Sequence, residues 1–242
     1  MQRAQLRGAA SALVLALSGC ATFQTGTALR PPAAALDACE GEVGARLRYL
    51  EPRLEANARY ATGWWWGWMA VNGGGMVSSG VRAGLEDERG QRALQIVNAT
   101  KSAIGVANLM LDSPPIRRGV GEIGKIDVAS ADGCVARLRA AEKLTRDAAA
   151  DAHEERFGWL NHVGNLILNG VGAVIVAKSF DESDGWSTGA IGFVVGEIQL
   201  WSYPWQVEHT LEDYEHRFRA DPAAASRWRI EERNGRRALV LR

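Results

Sequence analysis

Residues 63–80 read GWWWGWMAVNGGGMVSSG, with four tryptophans at one end, a triple glycine in the middle and no charge anywhere. From Trp64 to Val81 the uncharged run is 18 residues, and a second run of equal length spans Leu160 to Ala177. As a helix, each would be about 27 Å long, just short of the roughly 30 Å hydrocarbon core of a bilayer. Either these runs are the buried heart of a water-soluble bundle, or they belong in a membrane. The choice decides the fold, and on sequence both readings stay open.

The uncharged runs sit inside a larger pattern that occurs twice. Cys39 and Cys134 stand 95 positions apart, and at the same offset Gly63-Trp64 matches Gly158-Trp159, Gly75 matches Gly170 and Gly90 matches Gly185. The acidic stretch Leu85–Gly90 (LEDERG) lies opposite Phe180–Gly185 (FDESDG). Each half runs cysteine, charged amphipathic segment, Gly-Trp, uncharged run, acidic turn, second apolar run, proline. This order is expected from a duplication; the alternative is two unrelated hairpins of similar composition.

Val43, Leu47, Leu50 and Leu54 make one apolar stripe at helical spacing, ringed by Arg46, Arg48, Glu51, Arg53 and Glu55, with a kink expected at Pro52. Cys134–Arg156 is rich in Ala, Arg and Glu and reads as helix, with Asp132 as its N-cap. Both helices are expected to lead into the uncharged runs without a break. Short acidic turns then return the chain antiparallel through residues 91–111 and 186–203. After Pro204, QVEHTLEDYEHRFRA reads as an amphipathic helix. Trp228–Leu241 reads as a β-hairpin turning at Asn234-Gly235. The expected fold is all-α: two repeated antiparallel helical hairpins forming a four-helix bundle, plus a C-terminal helix and a small β-hairpin. The expected segments are a signal peptide at 1–19, a flexible tether at 20–36, a first hairpin repeat at 37–112, an irregular connection at 113–131, a second repeat at 132–204, and the C-terminal helix with its β-hairpin at 205–242.

The chain has 242 residues, a length for one domain or two small ones, and a formal net charge of zero. No basic field draws the whole protein to nucleic acid, so none is expected as a partner. At the N-terminus, Arg3 and Arg7 precede the short apolar stretch Ala9–Leu17, the layout of a secretory signal. It ends in Leu17-Ser18-Gly19-Cys20, which resembles the lipobox of bacterial lipoproteins. The resemblance implies cleavage before Cys20 and covalent lipid on its thiol, the only prosthetic group expected. Ala21, where the class as known from enteric bacteria uses Asp for inner-membrane retention, implies the outer membrane, lipid-anchored and facing the periplasm. With Cys20 acylated, Cys39 and Cys134 form an even pair in an oxidising compartment, and are expected either as a disulfide or as two free thiols.

Folding each hairpin at its acidic turn gathers tryptophans at the opposite end. Trp64, Trp65, Trp66 and Trp68 fall there in one half, and Trp159, Trp201 and Trp205 in the other. Such a belt suits a membrane interface, because indole is apolar with one N–H donor. Gly189, Gly192 and Gly196, with Gly164, Gly170 and Gly172, would let helices approach closely. In this the chain resembles, in style, glycine-zipper outer-membrane lipoproteins. Against insertion stand several asparagines and, beyond Arg92 at the first turn, one charge in each returning limb: Lys101, 11 residues past Gly90, and Glu197, 12 past Gly185. Their matched depth predicts a buried ion pair across the pseudo-twofold; the alternative is that each meets solvent or headgroups separately. His162, Asn165 and Asn169 share a helical face, with Glu197 and Gln199 opposite, and would line a polar groove or hydrogen-bond between helices.

His209, Glu212, Asp213 and His216 make a weak metal set, since two His seven apart lack a further partner. No HExxH, GxSxG, P-loop or dinucleotide motif occurs, so no catalytic residue and no metal is expected. Two functions follow. One is an outer-membrane lipoprotein that organises lipid or envelope proteins, or assembles as a homo-oligomer, through its glycine-rich hairpins. The other is a lipid-tethered binding module whose Arg227, Arg229, Arg233, Arg236 and Arg237 hold an anionic partner, headgroups or cell-wall polymer.

Overall fold

The computed structural model describes residues 39–179, 182–218, 228–233 and 236–241. The expected signal peptide, the tether, Cys20, the Asn234-Gly235 turn and the side chains of the C-terminal arginines lie outside the described residues. The described chain is all-α apart from one two-stranded ribbon. Its helices are α1 (Gly41–Leu85), α2 (Arg89–Leu111), α3 (Ile116–Gly124), α4 (Ala131–Phe157), α5 (Trp159–Ser179), α6 (Glu182–Trp201) and α7 (Gln206–Phe218). Strands β1 (Trp228–Arg233) and β2 (Arg236–Leu241) pair antiparallel, Trp228 opposite Leu241 and Arg233 opposite Arg236.

The 45 residues of α1 form one rod about 67 Å long, continuous through Pro52. Its first half packs on α3, α4 and α7 in a base with an ordinary water-soluble interior. Leu47, Leu50, Leu54 and Ala61 meet Ile116, Ile123, Leu138, Ala141, Ala148, Ala152, Val207 and Tyr214 there. Two polar pairs cross this interior, while Gln206 Oε1 and Arg117 Nε and Nη1 are buried without a hydrogen-bond partner among the described residues. Arg137 Nε lies 2.5 Å from Glu51 Oε1, and Asn57 Nδ2 donates to Thr210 Oγ1 at 2.9 Å. Cys39 and Cys134 are joined at the foot of the base, Cα–Cα 5.7 Å, closing a loop across 95 residues.

Three features depart from the sequence expectation. The connection 113–131 is not irregular throughout: it holds α3, whose Ile116 and Ile123 are buried. Its apolar stripe Ile116, Val120, Ile123 is obscured by glycines, one of which, Gly119, packs against the Leu144 side chain. The N-cap of α4 is Ser130, whose Oγ accepts from Gly133 N at 3.1 Å; Asp132 lies in the first turn, where its charge suits the helix dipole. The second long helix is broken at Gly158, at ψ 111°, whereas α1 continues through the equivalent Gly63.

The break is tolerated because side chains beyond it satisfy the freed carbonyls. Asn161 Nδ2 reaches Glu154 O and Glu155 O, both at 3.3 Å, and His162 Nε2 lies 3.0 Å from Arg156 O. The corresponding residues in α1, Trp66 and Gly67, offer no such donor within reach.

Above the base, α1 and α2 run antiparallel, as do α5 and α6. Gly75 faces Ser102 and Asn72 faces Gly105 in the first pair; Gly185 faces Ala177, Gly189 faces Ala173 and Gly196 faces Asn165 in the second. The pairs touch through α2 and α5, where Val97 and Lys101 pack on Gly172.

The disulfide restricts a long loop of the unfolded chain, a constraint worth roughly 2–4 kcal/mol. The Cys39→Ser/Cys134→Ser protein is expected to melt lower by a corresponding amount, and reductant to lower the parent to the same point. Thermal unfolding of detergent-solubilised protein with and without reductant measures both.

Candidate membrane interface

The upper helices reverse the burial pattern of the base. Val77 and Val81 of α1, Ile96 and Ile104 of α2, Leu166, Ile167 and Val174 of α5, and Ile191, Val194 and Ile198 of α6 are all between 46% and 61% exposed. Three amides of the same helices point inward, whereas Asn108 of α2 is exposed. Asn169 is 4% exposed, and Asn165 and Asn72 are half-buried between helices. Fully burying a side chain of this size is worth about 1.5–3 kcal/mol. Ten such residues, each about half exposed, leave on the order of 10 kcal/mol unrealised in water. Lys101 and Glu197 at mid-bilayer would each cost about 2.5–3.5 kcal/mol on insertion scales unless paired.

Charge bounds the band at both ends. Arg82, Glu86, Asp87, Glu88, Arg89 and Arg92 stand at the far turn, and the charged base lies below. At the base end the tryptophans come level. Trp64 and Trp68 both donate to Ser202 Oγ, at 3.0 and 3.3 Å, and Trp65 Nε1 donates to Leu109 O at 2.7 Å. Trp66, Trp159 and Trp201 face outward, Trp159 being 67% exposed, and Trp201 packs edge-on against Phe157 at 5.4 Å. Trp205 lies just below, 5.1 Å from the His209 ring. Among the described residues, Trp159–Lys178 is the one helix long and apolar enough to cross a membrane, and only 22% of its apolar window is buried.

The polar seam inside the band is built from α5 and α6. His162 Nδ1 lies 2.8 Å from Glu197 Oε2, and Asn165 Nδ2 donates to Glu197 Oε1 at 2.9 Å and to Phe193 O at 3.0 Å. Asn169 Nδ2 donates to Asn165 Oδ1 at 2.8 Å, one turn further on. Because His162 Nε2 faces a carbonyl, which only accepts, that nitrogen carries a proton. The contact with Glu197 therefore needs a second proton, held on the imidazole or on the carboxyl. Gln199, expected beside this group, instead faces α1: Asn72 Nδ2 points to its Oε1 at 3.5 Å.

The structure does not bring Lys101 to Glu197. The carboxylate is taken by His162 and Asn165 within its own pair, while Lys101 crosses from α2 to the other pair. Its Nζ and Asn169 Oδ1 lie 2.5 and 2.1 Å from the point a Cβ on Gly192 would occupy, so the two are less than about 5 Å apart. Asn169 Oδ1 is buried with no hydrogen-bond partner. Matched distance from the turns misleads here because α2 packs mainly on α5 and meets α6 directly near the turns, where Gln91 Nε2 donates to Asp184 Oδ2 at 3.0 Å. The glycines also divide. Gly172, Gly185, Gly189, Gly192 and Gly196 are sites of close approach, whereas Gly164 and Gly170 face open space.

Under the belt, Tyr203 donates to Asp151 Oδ2 at 2.5 Å, beside Glu155 and Asp112. Burial, reinforced by the Asp112 and Asp151 charges, pushes the Glu155 carboxyl up to about 7. Nothing in the sequence pattern marks this cluster, since its members come from α4 and the ends of α2 and α6. Further out, His209 lies 3.7 Å from Glu212 on an exposed face. Among the described residues no group of three or more His, Cys, Asp or Glu is arranged to hold a metal. No protein-family model, no curated protein and no solved structure matches the chain.

Two predictions follow from this geometry. A Cβ on Gly185 would lie 2.4 Å from the backbone nitrogen of Ala177, which cannot move aside, so Gly185→Ala is expected to destabilise the α5/α6 pair by about 1–3 kcal/mol. Gly170→Ala, into open space, is expected to gain up to about 1 kcal/mol from helix propensity. Thermal melts of the two variants in detergent compare them.

Glu155 binds its proton more tightly folded than unfolded, so stability falls as pH rises from 4.5 to about 7 and stays lower above. Glu155→Gln is expected to raise stability at pH 8 by about 1 kcal/mol, allowing for solvent screening of a half-buried group, and to gain nothing at pH 4. Denaturant unfolding at the two pH values checks the sign.

Proposed function

We propose that this chain is a lipid-anchored envelope protein whose two antiparallel helix pairs, duplicated hairpins forming a four-helix bundle, enter a bilayer and organise the lipid or proteins around them. The observation that carries the reading is the reversal of burial along α1. Below Ala61 its leucines face inward, and toward its far end Val77 and Val81 face out, while Asn72, half-buried like Val71, sits against Gly105. A water-soluble bundle has no reason to change sign along one rod. Lipid supplies that reason, because it solvates aliphatic side chains and leaves amides to one another.

The tryptophan level between base and band supports the same placement, with the base in the aqueous compartment and the acidic turns carried to the far side. The lipobox resemblance at Cys20 supplies a second attachment, and acyl chains at one cysteine contribute about 0.8 kcal/mol per buried methylene. The role proposed is architectural.

To test insertion apart from the anchor, the Cys20→Ser protein is exported from a signal of the non-lipoprotein type. It is expected to stay in the membrane fraction through a high-salt wash and to leave only with detergent. Reconstituted in vesicles with brominated acyl chains, its tryptophan fluorescence is expected to be quenched. Release by salt alone would point instead to the surface-bound reading, since surface electrostatics are screened and buried helices are not. A monodisperse, detergent-indifferent protein would overturn insertion altogether.

A further inference from the structure

The foot of the base carries a second feature, independent of the upper helices. Arg48, Arg53 and Arg217, all exposed, line one open surface groove of about 360 Å³ together with Ala45, Tyr49 and Phe218. The first turns of α1 supply two of the guanidiniums and the last turn of α7 the third. Among the described residues none of the three meets a carboxylate, although Arg46, on the same turns, is paired with Glu42 at 2.6 Å and Glu142 at 3.3 Å.

The three are held in place without being neutralised. Arg53 lies 3.7 Å over the Tyr49 ring and its Nη1 donates to Tyr49 O at 3.2 Å. Arg48 Nη1 donates to Cys39 O at 3.4 Å, next to the disulfide. Arg217 stands 5.4 Å from the Tyr49 centroid and 5.8 Å from Phe218, and those two rings meet edge to face at 5.5 Å. A guanidinium has five N–H donors. Arg48 and Arg53 each direct one to a backbone carbonyl, which leaves most of the donors free and oriented by rings that carry no charge.

We propose that this groove is a binding site for a phosphate-type oxyanion borne on a small ring or chain. Three uncompensated guanidiniums exceed what one carboxylate can neutralise. A phosphate monoester brings up to two charges and three terminal oxygens, which suits planar forks arriving from three directions. The volume, near the lower end for ligand pockets, holds the phosphate and about one ring. Arg48 precedes Trp64 by sixteen residues of unbroken helix, about 24 Å. If the upper helices are inserted as proposed above, the pocket faces away from that bilayer. A phosphate in solution or on an envelope polymer is then its source, rather than a headgroup of the same membrane.

The probes are inorganic phosphate and pyrophosphate, titrated by calorimetry into the full-length protein in neutral detergent, where no insertion is needed for binding to register. Saturable binding that weakens steeply with salt is expected. Each single Arg48→Gln, Arg53→Gln or Arg217→Gln change is expected to cost about tenfold in affinity, and Arg59→Gln, outside the groove, to cost nothing. An unchanged melting curve for the triple variant shows that the base remains folded. A parallel arm uses vesicles of phosphatidylglycerol: capture that needs the three arginines, without affinity for the soluble anions, keeps the oxyanion chemistry but moves its source to lipid. Failure of the protein to bind either soluble anion or the vesicles through these arginines overturns the site. So does binding that survives the triple substitution.

Discussion

An amide side chain in an apolar surrounding must find another amide, a carbonyl or a charged group, and it can do so only toward the inside of a helical assembly. Under the proposed insertion, the arrangement of the upper half follows from that constraint. Asn165 gives one hydrogen to Glu197 and another to Phe193 O, Asn169 turns back onto Asn165, and Asn72 holds Trp68 O at 3.0 Å while facing Gln199. Each contact fixes which face of its helix looks inward, and so commits the opposite face, with its Val, Ile and Leu, to the outside. Glycine makes the inward contacts possible. Gly105 gives Asn72 its space, Gly196 gives Asn165 its space, and Gly192 leaves room for Asn169 and Lys101 together. The glycines and the asparagines are one device, a small residue opposite each polar one.

The junction with the base has a different logic. Here the chain passes from an apolar interior with charged surroundings to a polar interior with aliphatic surroundings within about two turns. The first half does this on a single rod, with Trp64, Trp65 and Trp68 spanning the change: each indole packs among helices and directs its N–H to Ser202 or Leu109 O. The second half does it by breaking at Gly158. The break re-aims α5 relative to α4, and His162, freed to face the interior, both closes the end of α4 and holds Glu197. One imidazole thus ties the base to the polar seam.

Much of this was legible in the sequence, for physical reasons that can be named. Charge-free runs of 18 residues with amphipathic helices before them read as helices because period and length agree, and the tryptophan level followed from folding the chain at its acidic turns. His162, Asn165 and Glu197 were visible as a group because two lie three residues apart on one helix and the third returns beside them. Other features were hidden. The helix at Ile116–Gly124 has only three apolar positions to mark it and three glycines to disguise it. The break at Gly158 depends on Asn161 and His162 reaching backward, which no periodicity expresses. The arginine groove joins residues some 165 positions apart, and its free donors are evident only once the nearby carboxylates are seen to belong to Arg46.

Lys101 and Glu197 show how far a depth argument can go. Equal distance from two equivalent turns does place two residues at similar height, and on a symmetric assembly it invites a pair. Height alone does not make neighbours. In the structure α2 packs mainly on α5 and meets α6 near the turns, so the lysine lies near Asn169, while the carboxylate is served by an imidazole and an amide one to two turns nearer the base. Each charge is handled locally, by a different chemistry. The carboxylate has two donors inside its own helix pair, and its neutralisation needs nothing from the other. The ammonium lies across the pairs, in the gap that Gly172 and Gly192 leave open. Of the two charges in the band, Lys101 is therefore the one whose environment depends on how the two pairs are docked.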